Sequence, residues 1–240
     1  MNGGKPYALI DSVRGLRQGD PLGSLLFSVG VAPMFKAATC NLGLKVVAYV
    51  DNLLVAGPLN KLHRVVQNLP VALHPAGLKL KLNKSELLWP QLVAPPNFDQ
   101  FASDNGLIPR HGTMEVLGSV IGNCRDRVSD WAMGKAQAHN NTFRLLTHSK
   151  LPSQSCCAML RLCVIPRFVH VIRTVRATDV VEACEWWDKK VSSTFLEKNN
   201  LSEAVSTDPI SRSQIQLPLR LGGFGLRSLS DTAPPPTWPL

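Results

Sequence analysis

The sequence predicts an α+β protein in which a small antiparallel sheet with helices precedes an all-α region. Two short apolar runs, Leu44–Val50 and Leu53–Ala56, flank the dipeptide Asp51-Asn52, which tolerates the positive φ values of a tight hairpin turn. From residue 129 onward, apolar residues recur at the spacing of helices instead. This change of pattern predicts a boundary near residue 127.

The composition is that of a globular, basic protein. The 240 residues are 45% hydrophobic and the mean hydropathy is +0.03, which excludes a chain disordered throughout, a collagen and a coiled coil. The 26 Lys and Arg residues exceed the 17 Asp and Glu residues, so the formal charge is +9. Positive charge spread along the chain suits a polyanionic partner such as nucleic acid.

The cysteines and the apolar runs predict an intracellular protein that has no membrane contact. The six cysteines show no zinc-binding spacing, which favours reduced thiols. The N-terminus lacks the pattern of a secretory signal. The longest apolar runs are interrupted by Asp51, Arg161 and Pro166, which predicts that none of them forms a transmembrane helix.

Local signals define the elements of the first part. Tyr7–Val13 is predicted to be a short strand, and a helix is expected to begin at Pro21 after an Asp20 N-cap. The apolar residues of that helix should form the face that packs on the core, namely Leu22, Leu25, Leu26 and Val29. Four prolines within residues 89–112 predict a long loop, and Glu115–Ile121 is the last predicted strand.

Three helical stretches are predicted in the second part. They are Val128–Ser149, Pro152–Val175 with a break at Pro166, and Asp179–Asn199. The third stretch has Asp179 and Glu182 in capping-box register, and its apolar stripe consists of Val180, Cys184, Trp187, Val191 and Phe195. A proline-rich tail follows at residues 229–240.

Four segments in a fixed order resemble the reverse transcriptases of non-LTR retrotransposons. They are Gly15–Leu22 (GLRQGDPL), Tyr49–Asn52 (YVDN), Gly77–Lys84 and Leu117–Gly122 (LGSVIG). The segments around Pro166-Arg167 and at residues 216–228 are also similar to this family. The resemblance implies that residues 1–126 form part of a polymerase palm, that residues 127–228 form a helical thumb or connection region, and that the activity is RNA-directed DNA polymerisation.

The resemblance also implies a catalytic role for the hairpin. Asp51 would be a ligand of Mg²⁺, the family's cofactor, and Asn52 stands where the family has a second aspartate. Tyr49 would pack below the turn and contact the nucleotide or the template. Lys84 would place a positive charge near the pyrophosphate.

Other residues would bind the substrates. Gln18 and Gly19, just before a helix N-terminus, would approach the nucleotide and the template, and Arg17 would hold the template–primer backbone. Leu117 and Gly118 would belong to a strand on the primer side. The implied partners are an RNA template, an RNA/DNA hybrid and, if the protein is active, a dNTP.

Two departures from the family pattern predict that this chain alone is inactive. The family's first metal-binding aspartate lies upstream of the GLRQGDPL segment, and only 14 residues precede Gly15, so this carboxylate and its strand are expected to be missing. Asn52 removes a further anionic ligand. We therefore expect a truncated copy of a retroelement polymerase, or a gene model that begins at an internal Met. A missing neighbour strand would also expose Leu44–Val50 as an edge for self-association.

Two alternatives stay open at this point. The first is a non-catalytic nucleic-acid-binding protein in which the template–primer groove survives without the chemistry. The second is a pseudogene product without function.

Overall fold

The computed structural model describes residues 15–16, 19–202 and 204–232, and this part of the chain divides into two compact units. The first unit runs to Ser85 and includes Phe101–Leu107, and the second contains Glu86–Gln100 and all described residues from Ile108 onward. This division lies earlier in the chain than the boundary expected near residue 127. The predicted strand Tyr7–Val13 and the tail beyond Thr232 lie outside the described residues.

The described part of the first unit up to Ser85 contains two α-helices and one hairpin. Helix α1 spans Gly23–Thr39, strands β1 and β2 span Lys45–Tyr49 and Asn52–Ala56, and helix α2 spans Leu59–Leu73. Gly77 ends this stretch with a φ of 71°. The apolar run after it contains a short 3₁₀ turn, Leu82–Lys84, before the next strand.

Helix α1 buries a different face from the one that the sequence predicted. Val31, Phe35 and Ala38 are buried and pack with Leu69 and Leu73 of α2. The predicted stripe is exposed, with relative exposures of 58% for Leu22, 60% for Leu25, 51% for Leu26 and 63% for Val29. Both faces of α1 are apolar, so helical periodicity alone could not select the buried one.

Within the described residues, the strands form three separate pairs rather than one antiparallel sheet. Besides β1–β2, the parallel pair β3–β4 joins Glu86–Trp89 to Ile108–His111, and the antiparallel pair β5–β6 joins Thr113–Val116 to Ser119–Gly122. Helix α3, Phe98–Asp104, connects the two strands of the parallel pair. The predicted loop at 89–112 therefore contains a helix and a strand, and the predicted strand Glu115–Ile121 is folded into a hairpin.

The described helices after β6 are α4 to α11. Their bounds are Arg125–Gln137, Asn140–Leu146, Ser153–Met159, Ile165–Thr174, Ala177–Lys198, Ala204–Thr207, Pro209–Gln216 and Leu229–Thr232. The predicted helix Val128–Ser149 is thus two helices, α4 and α5. The predicted tail, 229–240, begins with the helix α11.

Helices α6 and α7 are continuous through a π-helical turn at Leu160–Val164, although Pro166 was expected to break the helix. The wider turn, in which Ile165 N–H donates to the carbonyl of Leu160, precedes the proline, which lacks an N–H. By length and composition alone, Ser153–Thr174 is long and apolar enough to cross a membrane, although Arg161 and Pro166 interrupt its apolar runs. Core helices pass the same test, and Phe168 is buried within the second unit.

Helix α8 contributes its predicted apolar stripe to the core of the second unit. All five residues of its predicted apolar stripe are buried. Trp187, fully buried, stacks on Phe168 at a centroid distance of 4.9 Å and contacts the edge of Phe143 at 5.3 Å. Such aromatic contacts add to the stabilisation from burial.

The start of α8 differs from the predicted capping box. The helix begins at Ala177, so Asp179 lies in its first turn rather than at the N-cap. The buried Asp179 carboxylate accepts a hydrogen bond from Arg176 Nε at 2.9 Å, and Arg125 Nε lies 3.6 Å from it. This ion pair satisfies a carboxylate that would otherwise be costly to bury. All six cysteines are free thiols.

Candidate functional site

The predicted hairpin is present, but its turn lies one residue earlier than the sequence indicated. Tyr49 pairs with Asn52, so the two turn residues are Val50 and Asp51. The positive φ, 52°, belongs to Val50, and neither Asp51 nor Asn52 has one. A positive φ at the first turn residue alone is typical of a type II′ turn, where glycine is usual. Val50 is therefore a strained residue at the tip.

The polar side chains of the tip contact each other. Asn52 Nδ2 donates a hydrogen bond to Asp51 Oδ1 at 3.2 Å, and both residues are exposed. Tyr49 is 61% exposed, so the expectation that it packs below the turn is wrong. The reason is that all five residues of β1 are exposed, which leaves the ring no surface to pack on.

The tip as described does not fit a Mg²⁺ ion. It contributes one carboxylate, Asp51, whose oxygen already accepts a hydrogen bond from Asn52. In residues 15–16, 19–202 and 204–232, no group of three His, Cys, Asp or Glu side chains could hold a metal ion together. Hard divalent cations bound by proteins need several oxygen ligands, which an amide and one carboxylate at an exposed turn do not supply.

The turn before α1 differs in detail from the prediction. Gly19 is exposed and has a φ of 91°, a conformation that favours glycine. Asp20 Oδ1 accepts a hydrogen bond from the N–H of Leu22 at 2.8 Å, and α1 begins at Gly23 rather than at Pro21. Arg17 and Gln18 lie outside the described residues. Among the described residues, no hydrogen bond joins this turn to the hairpin tip.

Lys84 belongs to the same unit as Asp51. It ends the 3₁₀ turn Leu82–Lys84 and is exposed. Its amine makes no hydrogen bond or ion pair in the described part of the chain, so its charge is available for an anion. No hydrogen bond or ion pair joins Lys84 to the Asp51 tip within that part.

Leu117 and Gly118, in the second unit, form the turn of the β5–β6 hairpin. Val116 pairs with Ser119, and the two turn residues have φ values of 51° and 76°. Two positive φ values are typical of a type I′ turn, in which Asn-Gly is usual and leucine is rare. His170 Nε2 donates a hydrogen bond to the Leu117 carbonyl at 3.2 Å. Helix α7 therefore holds the turn in place.

The sequence did not single out His170. It lies on the exposed face of α7 together with Arg167 and Arg173, opposite the buried Phe168 and Ile172. Neither arginine forms an ion pair in the described part of the chain. These basic residues are spaced three apart on one amphipathic helix. This spacing is the sequence signal that could have predicted a basic face on α7.

The same hairpin is joined to helix α4. Glu115 of β5 accepts hydrogen bonds from Lys135 Nζ at 2.8 Å and from Trp131 Nε1 at 3.1 Å. These bonds, that of Lys135 first, lower the pKa of Glu115 below its ordinary value of 4.5. The hairpin is thus anchored on α4 by a charged side chain and on α7 by His170.

Comparison with known proteins finds a distant relative. No family model and no solved structure matches the chain. Over 227 residues the chain is 22% identical to the retrotransposable element SLACS 132 kDa protein of Trypanosoma brucei gambiense. The match covers 93% of this chain, which spans 18% of the length of that relative. This distant similarity supports a retroelement-related origin of the chain.

Proposed function

We propose that this chain is a fragment of an RNA-directed DNA polymerase of a retroelement, with part of a palm and a thumb. The observation that carries the proposal is the two-residue hairpin with Asp51 at its tip, in a segment that resembles the metal-binding motif of reverse transcriptases. The similarity to a retrotransposon protein over most of the chain supports the same proposal. The substrates of such a polymerase are an RNA template, a primer and dNTPs.

We further propose that the chain alone does not polymerise. The family's chemistry uses Mg²⁺ ions to position the reacting oxygens and to stabilise the developing charge. Asn52 supplies an amide where the family has a carboxylate, and the exposed Asp51 does not by itself fit the ion. Loss of anionic ligands removes most of the electrostatic stabilisation on which nucleotidyl transfer depends.

Primer extension on an RNA template tests this proposal. Purified wild-type protein, Asp51→Ala and Asn52→Asp should all give no incorporation above background with Mg²⁺ or Mn²⁺. Asn52→Asp should fail because the hairpin still supplies only two carboxylates. Incorporation by the wild type that disappears in Asp51→Ala would contradict the proposed inactivity. An active reverse transcriptase on the same template serves as the positive control.

A second candidate, a non-catalytic nucleic-acid-binding protein, is favoured by the exposed face of α7. Arg167 and Arg173 have no carboxylate partner in the described part of the chain, so their guanidinium groups are free for phosphate oxygens. His170 orients the neighbouring Leu117-Gly118 turn, which the family resemblance assigns to the primer side. This function predicts salt-dependent, sequence-independent binding by a protein that does not extend a primer.

A further inference from the structure

An open surface cavity of about 550 Å³ lies in the second unit, where β4 and β5 meet the first turn of α4. None of its lining residues belongs to the segments that resemble the polymerase motifs. They are Leu92, Pro109, Arg110, His111, Thr113 and Arg127. The volume is in the range of small-ligand sites.

Close backbone packing fixes the wall of this cavity at Gly112. The Gly112 N–H donates to the Trp89 carbonyl at 2.8 Å, and the Gly112 carbonyl accepts from Asn123 at 3.2 Å. A Cβ atom at Gly112 would lie 3.1 Å from Leu92 and 3.3 Å from Cys124, and its φ is 78°. Hydrogen bonds therefore hold the backbone between the lining residues His111 and Thr113 in place, which lowers the entropic cost of ordering this segment around a ligand.

Among the described residues, the charges around the cavity leave the Arg127 guanidinium group without a counter-ion. Glu86 pairs with Arg110, and Asp99 accepts a hydrogen bond from His111 Nε2 at 2.8 Å. Each carboxylate is thus already engaged. Arg127 donates one hydrogen bond, from Nη1 to the His111 carbonyl at 2.8 Å, and forms no ion pair in the described part of the chain. Its position is fixed, while its remaining N–H groups are available.

Thr113 adds a hydroxyl group to the same cavity. The Thr113 side chain has no hydrogen-bond partner within the described residues, so it can donate to a ligand. A fixed guanidinium group and a free hydroxyl group are suited to an anion that offers several acceptor oxygens. Leu92 and Pro109 give the cavity an apolar side, against which a sugar or a base could pack.

We infer that this cavity binds a phosphate group, with Arg127 and Thr113 as the main donors. The phosphate could belong to a free nucleotide or to a nucleic-acid strand. The inference does not rest on the polymerase-like function, because it uses neither the hairpin tip nor the face of α7.

Titration followed by NMR tests the inference. Inorganic phosphate, a nucleoside 5′-monophosphate and a single-stranded oligonucleotide, with and without a 5′-phosphate, are added separately to the full chain. We expect saturable shifts of the Gly112 and Arg127 amides, with a Kd on the order of 1 mM for inorganic phosphate. Tighter binding of the mononucleotide would identify a nucleotide site, and tighter binding of the oligonucleotide would identify a strand site.

Two variants and one control make the test decisive. Arg127→Ala should weaken phosphate binding by about tenfold or more, because it removes a charge-assisted donor. Thr113→Val keeps the shape and the strand preference of the residue, so it should weaken binding by about two- to fivefold without affecting folding. Arg212→Ala, an exposed charge on α10, should leave the Kd unchanged. No saturable shift at Gly112, or equal affinities of Thr113→Val and the wild type, would overturn the inference.

Discussion

Replacing Val50 by glycine should leave the hairpin that carries Asp51 as stable as it is now, although glycine normally weakens a hairpin. The matched control is Val47→Gly, in the middle of β1, where the backbone has no positive φ. The two variants lose the same side chain from the same hairpin. They differ in whether the native backbone conformation suits valine and in burial, since Val50 is half-buried and Val47 is exposed.

The magnitudes follow from the backbone geometry. A positive φ at a non-glycine residue costs about 1–3 kcal/mol, which glycine at position 50 would relieve. Two effects oppose this gain in stability. Glycine is more flexible in the unfolded chain, which costs about 0.5–1 kcal/mol, and the contacts of a half-buried valine are lost. The net change at Val50 is near zero. At Val47 no strain is relieved, so about 1–1.5 kcal/mol should be lost.

Hydrogen exchange of the β1–β2 amides is the appropriate assay. Tryptophan fluorescence is a poor probe of this hairpin, because the tryptophans in the described part of the chain all belong to the second unit. They are Trp89, Trp131, Trp186 and Trp187. Exchange should be about tenfold faster in Val47→Gly than in Val50→Gly, and Val50→Gly should match the wild type. Equal acceleration in the two variants would refute the assignment of strain to Val50.

Two further predictions concern the other hairpin and the free edge. Glu115→Gln should lower the free energy of unfolding by about 0.5–1 kcal/mol at pH 7, measured by urea and tryptophan fluorescence. Because the folded pKa of Glu115 is lowered, this contribution is complete above about pH 4.5 and is lost as the pH falls through the folded pKa, so the deficit should shrink at pH 3. We also propose that the exposed edge of β1 causes self-association, which Val47→Lys should reduce in sedimentation experiments.

Each of these predictions has an outcome that would contradict it. For the Glu115→Gln prediction, the control is Glu182→Gln, which replaces an exposed carboxylate. If Glu115→Gln lowered the free energy of unfolding as much at pH 3 as at pH 7, the Glu115 carboxylate would not be responsible. For the self-association prediction, a wild-type protein that stays monomeric at high concentration would show that the edge of β1 does not cause association.

The long helix α8 could be predicted from the sequence, and helix α1 only in part. In α8 the apolar residues lie on one stripe, and this stripe is the one that is buried. In α1 the predicted stripe that begins at Leu22 and the opposite face that contains Phe35 are both apolar. The sequence therefore allows either face to be the buried one. Only the packing against α2, a contact distant in sequence, selects the face of Phe35.

The two hairpin turns show why the site was predicted less accurately than the helices. Asp51-Asn52 was a reasonable turn by residue preference, but strand pairing placed the turn at Val50-Asp51. The Leu117-Gly118 turn was missed because leucine rarely adopts a positive φ. In both cases contacts within the fold overrode the conformational preference of the turn residues. Both turns lie in segments that resemble motifs of reverse transcriptases.

The region 89–112 could not be predicted from local pattern. Its prolines suggested a loop, but Phe98 and Ala102 are buried in α3, and β4 pairs in parallel with β3. Parallel pairing joins residues that are far apart in sequence, so no short-range signal marks it.

Binding to an RNA/DNA hybrid at several salt concentrations tests the central proposal, a fragment of a retroelement polymerase, most directly, because such a fragment is expected to bind the hybrid through the arginines of α7. The wild type should bind weakly, with log K falling linearly as log salt rises. The double variant Arg167→Ala/Arg173→Ala should reduce the slope by about 2, and the control Lys189→Ala/Arg212→Ala should leave it unchanged. Equal slopes for the two double variants, or no binding of the wild type at about 50 mM salt, would contradict the account.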